Sequence, residues 1–542
     1  MKSFKILLLS SLLIFCVSGL VWSQGHAPYL KKQGAVTQLI VNDKPFLMLA
    51  GELGNSTASH LGNLDQIFAN LRERKLNTIL VPIAWEQFEP QEGKFDYTLI
   101  DGIIASARKN NLKLVILWFG SWKNTYSSYI PEWVKRDTQR FPRVLMRNGR
   151  PTERLSTFSE NNRKADAKAY AALMKYIKSV DTARTILMIQ VQNEVGVIPE
   201  PRDFSPAANA AFNAPVPEAL MSYMVQNSDK LEPELHVAWV AAGKKSRGTW
   251  QEVFGAKPFT DDLFMAWHYA AYIEVVTAAG KAEYNIPMFT NAALIRPNYL
   301  PGQYNSGGPL PHSMDLYRVG APSIDFISPD IYFANFAYWA ERYNREGNPL
   351  FVPETAGGAT GAANAYYAFG QQSAIGFSPF GIEGRMVMPG AGANATDPLV
   401  NTYAVLEHLA SEIVQKQGNN EQMAAIVLEG REQRNGRIEF GGYVITVNWS
   451  GNAETNNRIG IMFIKTGEDE FLVAGSGDAS LSFAPAIEGN FTAGIASIDE
   501  EVLANGNWVW QRRLNGDQNG QGQVLNIPSS QAVVYKLRLY KY

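Results

Sequence analysis

The sequence has a single cysteine, Cys16, in 542 residues. Without a second thiol, an intrachain disulfide and a thiolate zinc site are both excluded. Charge is scarce too. Charged residues make up 18% of the chain and the formal net charge is −2, with no long basic run, so nothing favours a nucleic-acid or anionic-membrane partner. The six histidines are scattered, with no His-Glu-x-x-His pair and no Asp cluster at calcium-loop spacing, so no metal is called for. Gly-x-Ser-x-Gly, Gly-x4-Gly-Lys-Ser/Thr and a Gly-x-Gly-x-x-Gly after the first apolar run are also missing. That removes the corresponding serine-hydrolase, phosphate-loop and dinucleotide readings, and no cofactor is expected.

Only one stretch is apolar enough to suggest a membrane. Lys2 and Lys5 precede an apolar run, Ile6 to Val21, and Val21-Trp22-Ser23 offers small residues at −3 and −1. Residues 1–23 therefore read as an export signal, with cleavage expected after Ser23. A retained anchor is the alternative, and bulky Phe15 argues against a lipid on Cys16. Cys16 falls inside this signal, so the mature chain has no catalytic thiol either. An exported, disulfide-free chain of this size suits a secreted or periplasmic enzyme with a large core.

What is present is a rhythm. Eight short apolar runs begin at Phe46, Asn77, Leu112, Ile186, Ile286, Ile324, Pro349 and Ala374. Runs of four to seven such residues bounded by turn formers fit strands buried on both faces of a parallel sheet. Between them lie helical patterns over Leu64–Lys75, Leu99–Asn110, Arg163–Val180, Pro217–Leu231 and Thr260–Ala279, and a last one over Pro398–Lys416. Leu64, Ile67, Phe68 and Leu71, for example, make one apolar stripe. Eight β-then-α units predict a (β/α)8 barrel over residues 24–415, with an insertion at about 197–285. From 420 to 542 short alternating segments such as Gly441–Asn448, Phe471–Ala474 and Gln531–Leu539 predict an antiparallel β-sandwich.

Barrel active sites lie at the C-terminal strand ends. Two such ends carry glutamate directly after apolar residues: Gln192-Asn193-Glu194 after the fourth run and Val352-Pro353-Glu354 after the seventh. Strand ends four and seven face each other across a barrel mouth. Glycoside hydrolysis needs such a pair, one acid for the leaving oxygen and one carboxylate on the other face of the sugar. Asn193 is placed to hydrogen-bond a sugar hydroxyl. Further expected substrate contacts are Glu52 after the first run, Trp122 after the third as a stacking ring, Asn291 after the fifth and Tyr332 after the sixth. Each has a purely structural alternative, and His268 in the insertion is a weaker candidate.

The segment Trp85-Glu-Gln-Phe-Glu89-Pro-Gln-Glu-Gly93-Lys-Phe-Asp96-Tyr, with Ala50-Gly-Glu52-Leu and Gln190-Val-Gln-Asn-Glu-Val-Gly196, resembles glycoside hydrolase family 35 over residues 37–415. The Asn-Glu motif departs from that family's usual Tyr-Gly ending, having Val195-Gly196, and the third-strand end Trp118–Asn124 differs as well. The resemblance implies a retaining, exo-acting β-galactosidase. In it Glu194 would be acid/base and Glu354 nucleophile, acting on terminal β-D-galactosyl residues such as xyloglucan side chains. An exo-β-glucosidase or endo-β-glycanase with the same machinery stays open, as does a secreted carbohydrate-binding protein with an inactive barrel. A carbohydrate is the expected partner, and a sandwich beside a barrel is compatible with a homo-oligomer.

Overall fold

The eight apolar runs become eight parallel strands because each is flanked on both faces by apolar layers, leaving almost no polar surface to expose. In the computed structural model, which describes residues 26–386, 397–430, 433–450, 458–487, 489, 491–528 and 531–542, they are β1 (Met48–Glu52), β2 (Thr78–Ala84), β3 (Lys113–Lys123), β4 (Ile186–Asn193), β5 (Met288–Ala293), β6 (Phe326–Asp330), β7 (Phe351–Val352) and β8 (Gly376–Phe377). The expected export signal at 1–23 lies outside the described residues. Neighbouring strands pair in parallel in the order β6-β5-β4-β3-β2-β1-β8-β7. A parallel bridge between Ile331 and Thr355 joins β6 to β7 and closes the ring.

The barrel interior is packed rather than hollow. Met48, Leu80, Val115, Leu117, Leu187, Phe289, Phe326 and Phe351 form one buried cluster. Phe289 stacks on Phe326 at 5.2 Å and meets Phe351 edge-on at the same distance. An N-terminal hairpin, Tyr29–Gln33 with Val36–Val41, adds Leu39 and Val41 to that cluster.

Eight helices surround the strands: α1 (Leu64–Glu73), α2 (Thr98–Lys109), α3 (Glu160–Val180), α4 (Pro258–Glu283), α5 (Met314–Gly320), α6 (Phe336–Tyr343), α7 (Gly358–Gly370) and α8 (Pro398–Lys416). Helices start where caps permit. Ser159 accepts from the Asn162 N–H ahead of α3, and Asp397 accepts from Leu399 with Pro398 at the first position of α8. The segment expected as an insertion holds four short helices between Pro206 and Phe254 and then α4, which runs along α3 as a member of the barrel ring. No helix among the described residues is long and apolar enough to cross a membrane.

The tail is an antiparallel sandwich. Its first sheet contains β9 (Met423–Leu428), β12 (Ile459–Gly467), β13 (Glu470–Ser476), β15 (Ala493–Ala504), β16 (Asn507–Leu514) and β18 (Val533–Lys541). The second contains β10 (Asn435–Phe440), β11 (Tyr443–Trp449), β14 (Ala479–Pro485) and β17 (Val524–Ile527). Ile445, Val447, Ile461, Phe463, Val473, Leu481 and Leu537 fill the space between them. The opposite face of the first sheet packs on α7, and Met423, Ala425, Met462 and Ile464 join the barrel's own core. The approach is close: a Cβ on Gly460 would collide with the Ala363 backbone.

One charged residue clamps this contact. Arg458, buried at the start of β12, donates to Asn364 Oδ1 at 2.8 Å, Glu429 Oε1 at 3.3 Å, the Ala334 carbonyl at 2.8 Å and the Phe333 carbonyl at 3.3 Å. The last two belong to the loop that carries Tyr332. Arg458→Met keeps the stem but removes a donor from four acceptors, of which Glu429 Oε1 retains the Ala337 N–H. It is expected to cost about 2–3 kcal/mol, read as a lowered thermal unfolding midpoint.

Candidate active site

The strand ends of the barrel are shaped by one buried carboxylate below them. Asp166 of α3 accepts from Trp118 Nε1 at 2.8 Å, Ser121 Oγ at 2.6 Å and Gln192 Nε2 at 2.6 Å. Gln192 in turn accepts the Trp122 N–H at 3.1 Å. These bonds hold an irregularity in the β3–β4 pairing, so that Lys123 lies opposite Asn193 after a break in register at Trp118. The side chain of Lys123 therefore reaches the carboxylates at the barrel mouth.

Glu194 follows immediately, in the left-handed region at φ 46°. That conformation is unfavourable for a residue with a side chain and persists where the surroundings over-determine it. They do so here. Its N–H donates to Asn291 Oδ1 at 3.0 Å, and its carbonyl accepts from Asn305 Nδ2 and the Thr125 N–H, each at 3.1 Å. Across the mouth, Glu354 Oε1 accepts from Asn193 Nδ2 at 3.2 Å and Oε2 from the Tyr332 hydroxyl at 3.0 Å. Lys123 Nζ lies 3.7 Å from Glu354 Oε1. The donor set suits a carboxylate, which only accepts.

Glu194, Asp330 and Glu354 each bring one oxygen to within 4.8 Å of the others. At that spacing two full charges repel by about 3–4 kcal/mol at an effective dielectric near 20. Among the described residues Lys123 is the one cation paired with the group, through Glu354. Burial first, and Glu354 second, raise the Glu194 carboxyl to about 7, against the lowering effect of Lys123 and Asp330. Asp330 is raised well above the usual range by burial, then by Glu354, Glu194 and Glu52. Lys123 shows the reverse balance: burial pulls it down, yet Glu354, Glu52, Glu194 and Asp330 together hold it above its ordinary value. The Tyr332 hydroxyl is raised by burial and then by Glu354, so it stays a donor.

A cavity of about 500 Å³ opens onto this cluster, with Glu194, Asp330, Asn305 and Tyr332 as polar wall and Ile198, Leu294, Tyr299 and Phe333 as apolar wall. Its mix of apolar surface and a few convergent polar groups suits a small polar ligand. A larger cavity of about 700 Å³, between the Arg143–Leu155 hairpin and Ser205–Ala207, contains none of these carboxylates. Chemistry, not size, marks the site.

Of the residues expected from sequence, Glu194, Glu354, Asn193 and Tyr332 come together, with Tyr332 45% exposed. Three others occupy different places from those expected. Trp122 has no exposed surface; its ring packs edge-on against Tyr269 and Tyr272 and so is core, not a stacking platform. Asn291 is fully buried, its amide spanning Glu194 N–H and Asp330 Oδ2, so it holds the site rather than a sugar. Glu52 is also fully buried, with both oxygens unpartnered and its backbone paired to Pro379 and Phe380. Burial, then the Glu354 charge, raises its carboxyl well above the usual range. His268 lies away from the mouth between Phe158 and Phe264, lowered by burial to about 3. Lys123 and Asp330 were missed, although both sit directly at strand ends, the position that identified Glu194.

Comparison with known proteins bears on part of this chain. Residues 60–254, which include Glu194 and not Glu354, match glycoside hydrolase family 42, described as beta-galactosidase. The matched family is thus 42, where the motifs resemble 35. Residues 399–526 match a domain of unknown function, DUF5597. No curated protein matches. Among solved structures, a β-galactosidase from the psychrophilic Marinomonas ef1 is 10% identical, over 68% of this chain and 60% of that one, at a TM-score of 0.45. The β-amylase catalytic domain of Paenibacillus polymyxa is 13% identical, over 61% and 91%, at 0.43. The cold-adapted β-galactosidase of Rahnella sp. R3 is 16% identical, over 62% and 50%, at 0.42. The chain thus spans 60% of the first β-galactosidase and half of the second.

The electrostatics can be tested without a substrate. Glu354→Gln removes a like charge from beside Glu194 and leaves its burial intact. The Glu194 carboxyl, followed by carbon-detected titration, is expected to fall below about 7 yet stay above 4.5. An unchanged titration contradicts the coupling.

Proposed function

We propose that the protein is a retaining glycosidase that removes terminal β-D-galactosyl residues, with Glu194 as acid/base and Glu354 as nucleophile. The observation that carries this reading is the pair itself: two carboxyls that follow β4 and β7, one oxygen of each within 4.8 Å, in unequal surroundings, with Glu194 on the cavity wall and Glu354 behind the wall residue Tyr332 that donates to it. A nearest oxygen approach of at most 4.8 Å favours the close pair of retention, roughly 5–5.5 Å between carboxyls, over the roughly 6.5–9.5 Å that leaves room for a water in inversion. Support for a galactoside comes from the family-42 match over residues 60–254.

In the first half-reaction Glu354 attacks the anomeric carbon while Glu194 gives its proton to the leaving oxygen. Burial and the Glu354 charge keep that proton on Glu194 near neutrality. Attack on the sugar consumes the Glu354 charge in a glycosyl ester. The repulsion then vanishes, Glu194 becomes easier to ionise, and it takes a proton from the incoming water. Asn193 and Tyr332 aim the Glu354 oxygens throughout. The pattern of residues 2–23 supports an exported enzyme, and galactose side chains of a plant polysaccharide such as xyloglucan are the proposed natural substrate.

Hydrolysis of nitrophenyl β-galactoside, β-glucoside and β-fucoside, measured side by side, tests the specificity; release of galactose is expected to dominate, and a preference for the glucoside removes the galactosidase reading. Galactose release from xyloglucan oligosaccharides tests the natural substrate. Because Glu194 must carry a proton, kcat/KM is expected to fall as pH rises through about 7. Glu194→Gln is expected to lower kcat/KM toward substrates with poor leaving groups by on the order of 10²–10⁴-fold.

A further inference from the structure

The third carboxyl of the cluster has no part in the two-glutamate chemistry, yet its hydrogen bonds are constrained. The Glu194 backbone N–H can only donate, which fixes Asn291 Oδ1 toward it and turns Asn291 Nδ2 toward Asp330. Asp330 Oδ2, 2.6 Å away, is therefore an acceptor and cannot carry a proton toward that amide. The other oxygen, Oδ1, is buried and meets no donor. One oxygen of Asp330 lies within 4.8 Å of an oxygen of Glu194 and of Glu354. Buried carboxyls this close share a site at lower cost when one of them keeps its proton.

Other charged and titratable groups surround Glu194. Glu52 ends β1, Lys123 ends β3, Glu354 follows β7 and Glu383 lies in the short helix Ile382–Met386 after β8. Arg296, Tyr299, Tyr304 and Tyr332 stand on the cavity wall. Among the described residues one ammonium group pairs with the three clustered carboxyls, on the Glu354 side, and none pairs with Asp330.

We propose that Asp330 is a positioning residue that stays protonated on Oδ1 and donates a hydrogen bond to Glu194 whenever Glu194 is a carboxylate. This rests on the reading of Glu194 as acid/base. When Glu194 has given its proton to the leaving oxygen, Asp330 Oδ1–H supplies the donor that a buried carboxylate otherwise lacks. When Glu194 takes a proton back from water, the contact relaxes. Asp330 ends each turnover with the proton it began with. The pair Asn291–Asp330 then fixes both the backbone and the carboxyl of Glu194.

Two substitutions separate a neutral donor from a charge. Asp330→Asn reproduces the neutral acid, its oxygen toward Asn291 Nδ2 and its N–H2 toward Glu194. Asp330→Leu fills the volume without a donor. The pH dependence of kcat/KM on a nitrophenyl galactoside reads the outcome. With Asp330→Asn the alkaline limb is expected within a few tenths of a pH unit of the natural enzyme. With Asp330→Leu it is expected to rise by about one unit, because ionised Glu194 has lost a charge-assisted bond. A limb that moves to lower pH in Asp330→Asn means that a negative charge was removed, and overturns the proposal. So does equal loss of kcat in both variants with neither limb displaced. If Asp330→Leu does not fold, the Asn variant still decides, together with the infrared band of a protonated carboxyl, expected to weaken on that substitution. Failure of the acid/base reading is recognised separately, by a Glu194→Gln variant that keeps full activity on every substrate.

Discussion

Glu52, Glu194, Asp330 and Glu354 converge on one buried volume where, among the described residues, the only cation paired with any of them is Lys123, on Glu354. Fully ionised, the three clustered groups alone would repel by roughly 10 kcal/mol at an effective dielectric near 20, more than one ammonium group on one side can offset. Protons must therefore remain in the site at neutral pH, and their distribution is decided by hydrogen-bond donors. Glu354 has Asn193, Tyr332 and Lys123. Glu194 has none of these on its carboxyl. In the proposed mechanism this inequality is what separates an acid from a nucleophile in groups of the same chemical type.

The fold serves that inequality. A parallel barrel brings the ends of β1, β3, β4, β6 and β7 to one mouth, so that residues about 300 positions apart meet. The irregular β3–β4 pairing, held by Asp166, directs Lys123 to the Glu354 side. The left-handed backbone at Glu194, held by Asn291, Asn305 and Thr125, sets its carboxyl on the cavity wall. The sandwich contributes at a distance: Arg458 grips the backbone just after Tyr332, linking a domain of otherwise unassigned role to the hydroxyl donor of Glu354.

All eight strands were legible in the sequence because burial on both faces forces near-continuous apolar runs. Helix α1 was legible through its stripe, whereas α7, Gly358-Ala-Thr-Gly-Ala-Ala, is buried almost all round and has no polar face to mark it. Glu194 and Glu354 stood out as carboxylates after apolar runs, but the same rule applied evenly would have found Lys123 and Asp330. Trp122 and Asn291 obeyed the rule of position and still differ from expectation, since a strand-end side chain can turn inward. Which way it turns depends on Tyr269, Tyr272 and Asp330, all distant in sequence.

The central claim is that Glu354 forms a covalent bond to the sugar while Glu194 does not. Incubation with a 2-deoxy-2-fluoro-β-galactosyl fluoride, followed by peptide mass spectrometry, reads this directly. The account requires a single fluorogalactosyl ester on the peptide containing Glu354, formed as activity is lost. Labelling at Glu194, or full activity loss without any covalent sugar, would contradict it.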